Sequence, residues 1–90
     1  MAKRKCWQDY EKTVAKRHRG RLVGGPGQPD YMRGNVCGEA KLRNRPLNKS
    51  EVMGECKKGR TEIVCNNGFT NTAVQYVKRY RPRVKLIHHP

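Results

Sequence analysis

The chain is short of acidic residues, with 7 Asp plus Glu against 21 Lys plus Arg in 90 positions and a net charge of +14. Such an excess of one sign repels itself unless a polyanion lies nearby, so nucleic acid is the leading candidate partner. A solvated basic surface is the alternative. Because a single domain over residues 1–90 buries only about 60 to 65% of its unfolded surface, we expect no pocket for a small-molecule substrate.

Long apolar runs and closely spaced cysteine pairs are also missing. No stretch approaches the roughly 20 apolar residues that span a bilayer, and the segment MAKRKC is not followed by the apolar core of a secretion signal. We therefore expect no membrane partner and a cytoplasmic (intracellular) location, where cysteines are reduced by default, although hyperthermophiles are an exception. The cysteines form no C-x-x-C pair, which argues against a zinc site; they are Cys6, Cys37, Cys56 and Cys65.

Helical spacing marks the first element of the chain. Trp7, Tyr10 and Val14 recur on one face and are expected in the core. Glu11 lies at the margin of this apolar stripe, and no Lys or Arg stands three or four positions away to pair with it. Glu11 is therefore either a functional carboxylate or a solvated acid near the positive start of the helix.

The rest of the chain alternates strand and helix signals. A short strand at residues 21–25 precedes the runs PDYMR and VCGEAK, which flank the two-residue loop Gly34-Asn35 of a type II′ hairpin. Asn48 and Thr70 are candidate N-caps of two further helices, and TEIVCNN and RVKLIHH predict the last two strands. The order αβββαβαβ indicates an α/β fold, a small mixed sheet flanked by helices.

Hairpin geometry places two acids opposite each other. If Arg33 faces Val36 across the turn, Asp30 faces Glu39, and the Cβ atoms of such pairs stand about 4.5 to 5.5 Å apart, where like charges cost stability. Lys41 projects from the same face as Glu39. Each group has an ordinary alternative, since Asp after Pro is common in turns and E-x-K is a frequent surface pair. Their convergence is what indicates a function.

A divalent cation between the two carboxylates would remove their repulsion and use their oxygens as hard ligands. Mg²⁺ suits this arrangement, and Mn²⁺ is expected to substitute for it. In phosphodiester hydrolysis the ion would polarise a phosphoryl oxygen and acidify a bound water. Lys41 would stabilise charge on the phosphate or orient the attacking water. The pattern therefore predicts a metal-dependent nuclease.

The same residues resemble the P-D…(D/E)-x-K signature of the PD-(D/E)xK nuclease superfamily, in which they would be Pro29-Asp30 and Glu39-Ala40-Lys41. Further along, Gly68-Phe69-Thr70 and Leu86-Ile87 are similar to the strand, G-F-T, helix, strand ending of the Mrr-like restriction endonuclease catalytic domain. The resemblance covers residues 20–89 and implies a restriction-endonuclease-like fold.

By that resemblance Asp30 and Glu39 bind Mg²⁺, the main-chain carbonyl of Ala40 adds a ligand, Lys41 is catalytic, and Glu11 matches a helix-1 glutamate of many members. The implied function is that of a Mg²⁺-dependent DNA endonuclease that acts as a homodimer, since one small module holds one cutting centre. Archaeal Holliday-junction resolvases share the core, so a structure-selective role is compatible. The alternative is a non-catalytic basic nucleic-acid-binding protein that retains the nuclease fold.

Basic residues near both ends of the predicted hairpin region are candidates to contact phosphates. They are Lys3, Arg4, Lys5, Arg17, Arg19, Arg21, Arg43 and Arg45. Two other residue types have plainer interpretations. We expect Phe69 to fill the core, and His88 and His89 to lie in a frayed tail rather than bind a metal.

Overall fold

The computed structural model describes residues 7–23 and 27–90, and the elements follow the predicted order. The helices are α1 (Trp7–Arg17), α2 (Lys49–Lys57) and α3 (Asn71–Tyr80). The strands are β1 (Arg21–Leu22), β2 (Tyr31–Arg33), β3 (Val36–Lys41), β4 (Glu62–Cys65) and β5 (Lys85–His88). The α/β class and the order αβββαβαβ are therefore confirmed.

The strands form one mixed sheet in the order β1-β2-β3-β4-β5. The neighbours β1, β2 and β3 are antiparallel, whereas β3, β4 and β5 run parallel. Parallel neighbours need crossover connections, and α2 and α3 supply them. Within the described ranges, no helix is long and apolar enough to cross a membrane.

Each face of the sheet has its own apolar core, because successive strand residues point to opposite faces. In β4, Val64 points toward α1, whereas Ile63 and Cys65 point toward α2 and α3. The buried residues at the interface of α1 with the sheet are Tyr10, Val14, Ala15, Tyr31, Ala40 and Val64. Those at the interface of α2 and α3 with the sheet are Leu47, Val52, Cys56, Ile63, Cys65, Ala73 and Val77, with Phe69 packed against them.

The predicted helix ends are built by local hydrogen bonds. Asn48 forms a capping box with Glu51, since each side chain accepts a hydrogen bond from the other residue's backbone amide. At the other end of α2, Gly59 has a φ of 85°, and the amides of Gly59 and Arg60 donate to the carbonyls of Cys56 and Glu55. This is the Schellman pattern that glycine favours after a helix.

The hairpin register is the one that the turn predicts. Gly34 has a φ of 58°, as the first position of a type II′ turn requires. Arg33 pairs with Val36, and Tyr31 pairs with Gly38. The Tyr31 ring lies directly over Gly38, where an added Cβ would stand 2.0 Å from the ζ carbon of the ring. Only glycine fits there.

Two expectations about the chain ends are wrong. Trp7 is 58% exposed, because the core contacts of α1 begin one turn later at Tyr10, which is fully buried. The histidines are not a frayed tail: His88 belongs to β5, and the His89 carbonyl accepts a hydrogen bond of 2.7 Å from the Tyr10 hydroxyl. The residues after Leu86 therefore help to hold α1 on the sheet.

Candidate functional site

Asp30 stands immediately before β2, at the end of the hairpin away from the turn. Its amide donates to the Gly38 carbonyl at 2.9 Å, and its Oδ2 accepts a hydrogen bond of 2.9 Å from the Ala40 amide. In a continued ladder the Ala40 amide would donate to a backbone carbonyl of the neighbouring strand. Here the Asp30 carboxylate accepts that hydrogen bond instead. Asp30 thus reaches Glu39 as a side chain beyond the ladder, not as a regular cross-strand partner.

Asp30 lies among other carboxyl groups. Burial is the largest cause that raises the pKa of Asp30, and the Ala40 hydrogen bond opposes it. Contact with Glu11 raises this pKa further, whereas a hydrogen bond with Glu39 lowers it. These effects require all three carboxyl groups to be close together. The structure therefore brings Glu11 of α1 to the same place as the two acids of the hairpin.

Glu39 is buried between two cations. Its residue exposure is 9%, its Oε1 accepts a hydrogen bond of 2.9 Å from Arg60 Nε, and its Oε2 lies 3.5 Å from Lys41 Nζ. Burial raises the pKa of Glu39, the Arg60 hydrogen bond opposes it, and the charge of Asp30 raises it. The two cations thus hold the Glu39 carboxylate in one orientation, while burial makes its ionised form less favourable.

Lys41 connects the hairpin to α2. Its Nζ lies 3.2 Å from Glu55 Oε2 as well as 3.5 Å from Glu39 Oε2. Glu55 is buried, and its Oε1 has no hydrogen-bond partner, although Arg60 Nε stands 3.9 Å away. The two ion pairs hold the ammonium of Lys41 in a fixed place between Glu39 and Glu55.

Two residues of this cluster were not predicted, Glu55 and Arg60. The signal for Glu55 is its place on the buried stripe of α2, because it lies three residues after Val52 and beside Cys56. A carboxylate on a buried apolar stripe is uncommon unless a side chain of opposite charge pairs with it. Arg60 has no periodic signal at all, because its partners come from distant parts of the sequence. Its buried guanidinium also donates to the Gln28 carbonyl at 3.0 Å.

The cluster carries an excess of negative charge inside a basic protein. Four of the chain's seven acids gather here, namely Glu11, Asp30, Glu39 and Glu55. Three cations pair with them: Lys41, Arg60 and the more exposed Lys58, whose Nζ lies 3.6 Å from Glu55 Oε2. Four negative and three positive charges leave a net charge of −1 when all are ionised.

The ligand set suits Mg²⁺. Along the part of the chain that the structure describes, no group of three or more His, Cys, Asp or Glu side chains is arranged to hold a metal ion by itself. Mg²⁺ needs fewer, since it binds through one or two carboxylates and keeps waters for a substrate phosphate. If the ion binds here, Asp30 and Glu39 would supply the carboxylates, and Ala40 would supply a main-chain carbonyl.

The direction of the Ala40 carbonyl follows from strand alternation. The Cys37 carbonyl accepts a hydrogen bond from the amide of Thr61, the residue before β4. The Lys41 carbonyl accepts one from the amide of Asn66, the residue after β4. Carbonyls alternate along a strand, so those of Gly38 and Ala40 point the other way, toward Asp30. The Gly38 carbonyl is taken by the Asp30 amide. The Ala40 carbonyl therefore points to the side on which the Asp30 carboxylate lies.

The predicted phosphate-contacting residues fall into three groups. Lys3, Arg4 and Lys5 lie outside the described residues. Arg17, Arg19 and Arg21 are exposed around the end of α1 and the start of β1. Arg43 and Arg45 follow β3, and both pair with Glu51, at 3.8 and 2.8 Å.

The arrangement can hold a divalent cation against two carboxylates and present one fixed ammonium beside it. No protein-family model matches the chain, and no curated protein and no solved structure is significantly similar to it.

Proposed function

We propose that the protein is a Mg²⁺-dependent DNA endonuclease that hydrolyses phosphodiester bonds. The observation that carries the proposal is the convergence of Asp30, Glu39 and Lys41 in a cluster with net negative charge, within a chain of net charge +14. Binding to a polyanion by itself gives no reason to bury acids beside the contact. A hydrolytic centre does, since its metal ligands must be anionic.

Each residue has a defined part in the proposal. Asp30, Glu39 and the Ala40 carbonyl would hold Mg²⁺, which when bound polarises the phosphoryl oxygen and lowers the pKa of a coordinated water. The Ala40 amide fixes the Asp30 carboxylate, and Arg60 fixes that of Glu39. Lys41 supplies positive charge where charge develops on the phosphate. Glu11 adds a third carboxyl group beside Asp30.

DNA is the proposed substrate because duplex phosphates are a dense line of negative charge that a basic surface attracts. The likeness of Pro29-Asp30 and Glu39-Ala40-Lys41 to the PD-(D/E)xK signature supports the same substrate. Two copies would place one cutting centre on each strand, so we also propose a homodimer, which light scattering coupled to gel filtration would test. We also propose a cytoplasmic (intracellular) site of action.

The test is cleavage of labelled linear, flap and four-way-junction DNA with Mg²⁺ or with EDTA. We expect products with Mg²⁺ or Mn²⁺ only. Asp30→Asn and Lys41→Met should each lower the rate by at least about a hundredfold, the size of effect seen when one charge-stabilising group is removed. Asp9→Asn on α1 and Lys57→Met on α2 are matched controls, since both side chains are exposed. They should cut normally.

Circular dichroism shows whether each variant folds. Should Lys41→Met unfold, a second measurement needs no variant: Mg²⁺ should raise the melting temperature of the parent protein above its value in EDTA, and Asp30→Asn should lose that rise. Cutting by Asp30→Asn at the parent rate, or the same melting temperature with and without the metal, would refute the proposal.

The rival function is non-catalytic binding of nucleic acid, and one observation favours it. Both Glu39 oxygens already face cations, with Arg60 Nε at 2.9 Å and Lys41 Nζ at 3.5 Å, as in a structural ion-pair network. Under this rival function the protein retains DNA equally well in Mg²⁺ and EDTA and releases no product from any substrate.

A further inference from the structure

The outer face of α3 carries a pair of tyrosines, of which Tyr80 is exposed and Tyr76 is partly buried against the core. Tyr76 and Tyr80 are one helical turn apart, and their ring centroids lie 5.5 Å from each other. Tyr80 is 60% exposed, which makes it one of the most exposed large hydrophobic residues among those that the structure describes. The guanidinium of Arg79 stands 5.6 Å from the centre of the Tyr80 ring. The pair therefore presents aromatic surface and positive charge to the solvent together.

Concave surface lies on both sides of this pair. One hollow of about 480 Å³ is bounded by Met53 of α2 and by Arg81. The other, of about 290 Å³, is bounded by Gln75 and Arg79. Lys49, Tyr76 and Tyr80 line both hollows, and none of the described residues around either hollow is acidic. A ring inserted beside Tyr80 would meet aromatic carbon, cations and uncharged side chains, and no carboxylate of the described residues.

This combination fits an unpaired nucleobase joined to a phosphate. Bases stack on exposed aromatic side chains, and arginine adds attraction to the π faces and to the backbone. Duplex bases are already stacked on each other and offer no free face. The ordinary interpretation is a solvated helix end with tyrosines at its margin, and it predicts no difference between paired and unpaired DNA.

We propose that Lys49, Tyr76, Arg79, Tyr80 and Arg81 form a stacking surface that binds unpaired bases of a polynucleotide strand. The surface lies apart from the carboxylate cluster, and strand binding there requires no metal and no chemistry.

Helix α2 connects the two places. Lys49 begins α2 and Glu55 lies six residues later, which is about 9 Å along the helix axis at 1.5 Å per residue. A strand held at Tyr80 would therefore run close to Lys41, which contacts Glu55. This positioning role rests on the proposed nuclease function, whereas binding at the stacking surface stands without it.

The experiment measures affinity in EDTA, so that cleavage plays no part. Labelled oligo(dT), oligo(U) and a fully paired DNA of the same length are titrated at one salt concentration with the parent protein, Tyr80→Ala, Tyr80→Phe and Tyr80→Leu. We expect Tyr80→Ala to weaken oligo(dT) binding by at least about fivefold, since one stacked base contributes roughly 1 to 3 kcal/mol. Tyr80→Phe should bind as the parent does, and Tyr80→Leu as the alanine variant does.

Duplex affinity is the internal control and should not change in any of these variants. Equal losses for duplex and single strand, or full binding by Tyr80→Leu, would overturn the proposal. If Tyr80→Ala loses affinity for oligo(U) as well as for oligo(dT), the proposal is supported and the surface does not distinguish RNA from DNA. If it loses affinity for oligo(dT) alone, the proposal is supported and the ligand is DNA. Failure to cut any substrate in Mg²⁺ refutes the nuclease function and leaves these binding results unaffected.

Discussion

Arg60 shows how much one buried side chain can organise. Its Nε donates to Glu39 Oε1 at 2.9 Å, a terminal nitrogen donates to the Lys58 carbonyl at 3.1 Å, and the other donates to the Gln28 carbonyl at 3.0 Å. One planar group thus joins β3, the end of α2 and the segment that leads to Asp30. Lysine could not replace it, because an ammonium lacks the fixed fork of donors.

Arg60→Ala should lower the free energy of unfolding by about 3 kcal/mol or more, because it leaves a buried carboxylate without its partner. Urea denaturation measures the loss. The control is Arg83→Ala, since Arg83 is exposed, and it should change stability by less than about 0.5 kcal/mol. A small loss for Arg60→Ala, equal to that of the control, would show that the network is not needed for stability.

Asp30 should destabilise the metal-free protein when it is ionised. Its folded pKa is raised, so the native state holds this proton to higher pH than the unfolded chain does, and stability from this group falls as pH rises from its ordinary pKa of about 3.9 through the raised value. Asp30→Asn keeps an oxygen for the Ala40 amide and removes the charge. In EDTA at neutral pH we expect it to gain up to about 1 kcal/mol.

Urea denaturation of both proteins from acid to neutral pH in EDTA checks this expectation. The advantage of Asp30→Asn should be absent at acid pH and should grow as pH rises through that interval. Asp9→Asn, an exposed acid of α1, should show no such trend. A variant less stable than the parent at neutral pH would mean that Asp30 belongs to a stabilising ion pair.

At the scale of elements, the β2–β3 hairpin is held by one aromatic ring. The Tyr31 ring covers Gly38 of β3 and Gly20 at the end of α1, and its hydroxyl donates to Glu62 Oε1 of β4 at 2.5 Å. Asp30 directly precedes this ring, so the position of its carboxylate depends on how well Tyr31 packs. Burial and the Glu62 hydrogen bond raise the pKa of Tyr31, so the hydroxyl remains a donor.

Gly38→Ala should lower the free energy of unfolding by about 1 to 3 kcal/mol, because its Cβ would force the Tyr31 ring from its place. The matched control is Gly54→Ala in α2, where an added Cβ meets nothing within 4 Å. It should gain about 0.5 to 1 kcal/mol from helix propensity. Urea denaturation compares the two, and equal effects would contradict the close packing of Tyr31.

At the same scale, the sequence predicted most of what depends on neighbouring residues. Asn48 and Thr70 act locally, and both mark the helix starts that they were expected to mark. The hairpin register could also be predicted from the sequence, because a two-residue turn fixes it. Arg60 was not accessible, since its contacts with residues 27–28 and Glu39 arise only after the crossover is complete.

For the site, the hairpin pattern predicted Asp30 as the regular cross-strand partner of Glu39, whereas the ladder ends at Tyr31 and Gly38. Spacing alone also could not reveal what surrounds Asp30, Glu39 and Lys41. The contact of Glu11 with Asp30 depends on how α1 crosses the sheet, and the pairing of Lys41 with Glu55 depends on how α2 packs. Trp7 failed as a core prediction for a related reason, because periodicity does not show where the covering surface stops.

For the whole molecule, exposed positive charge is distributed unevenly. Arg43 and Arg45 share Glu51, whose pKa is lowered by the hydrogen bond from Arg45. Arg17, Arg19 and Arg21 are exposed, and the described part of the chain places no carboxylate within 4.0 Å of them. The three arginines around the end of α1 therefore have their charge available for phosphates, whereas Glu51 already partly neutralises the two that follow β3.

Replacing Arg17, Arg19 and Arg21 together by Gln should flatten the salt dependence of duplex binding. Each lost phosphate contact lowers the slope of log affinity against log salt by about 0.9. The double change Arg43→Gln with Arg45→Gln is the comparison and should lower the slope less per residue. Titrations at several salt concentrations in EDTA measure both. A larger effect per residue from the second pair would contradict this assignment.

The hydrogen bond from the Tyr10 hydroxyl to the His89 carbonyl spans 79 positions of the chain. On the ribosome, α1 is made before β5, yet its docking surface includes Ile87 of β5 and its anchor is the carbonyl of His89. Native docking of α1 must therefore wait until β5 and His89 have been made. Until then its apolar stripe is open to chaperones, so a nascent chain stalled before β5 should be bound by them where the released protein is not.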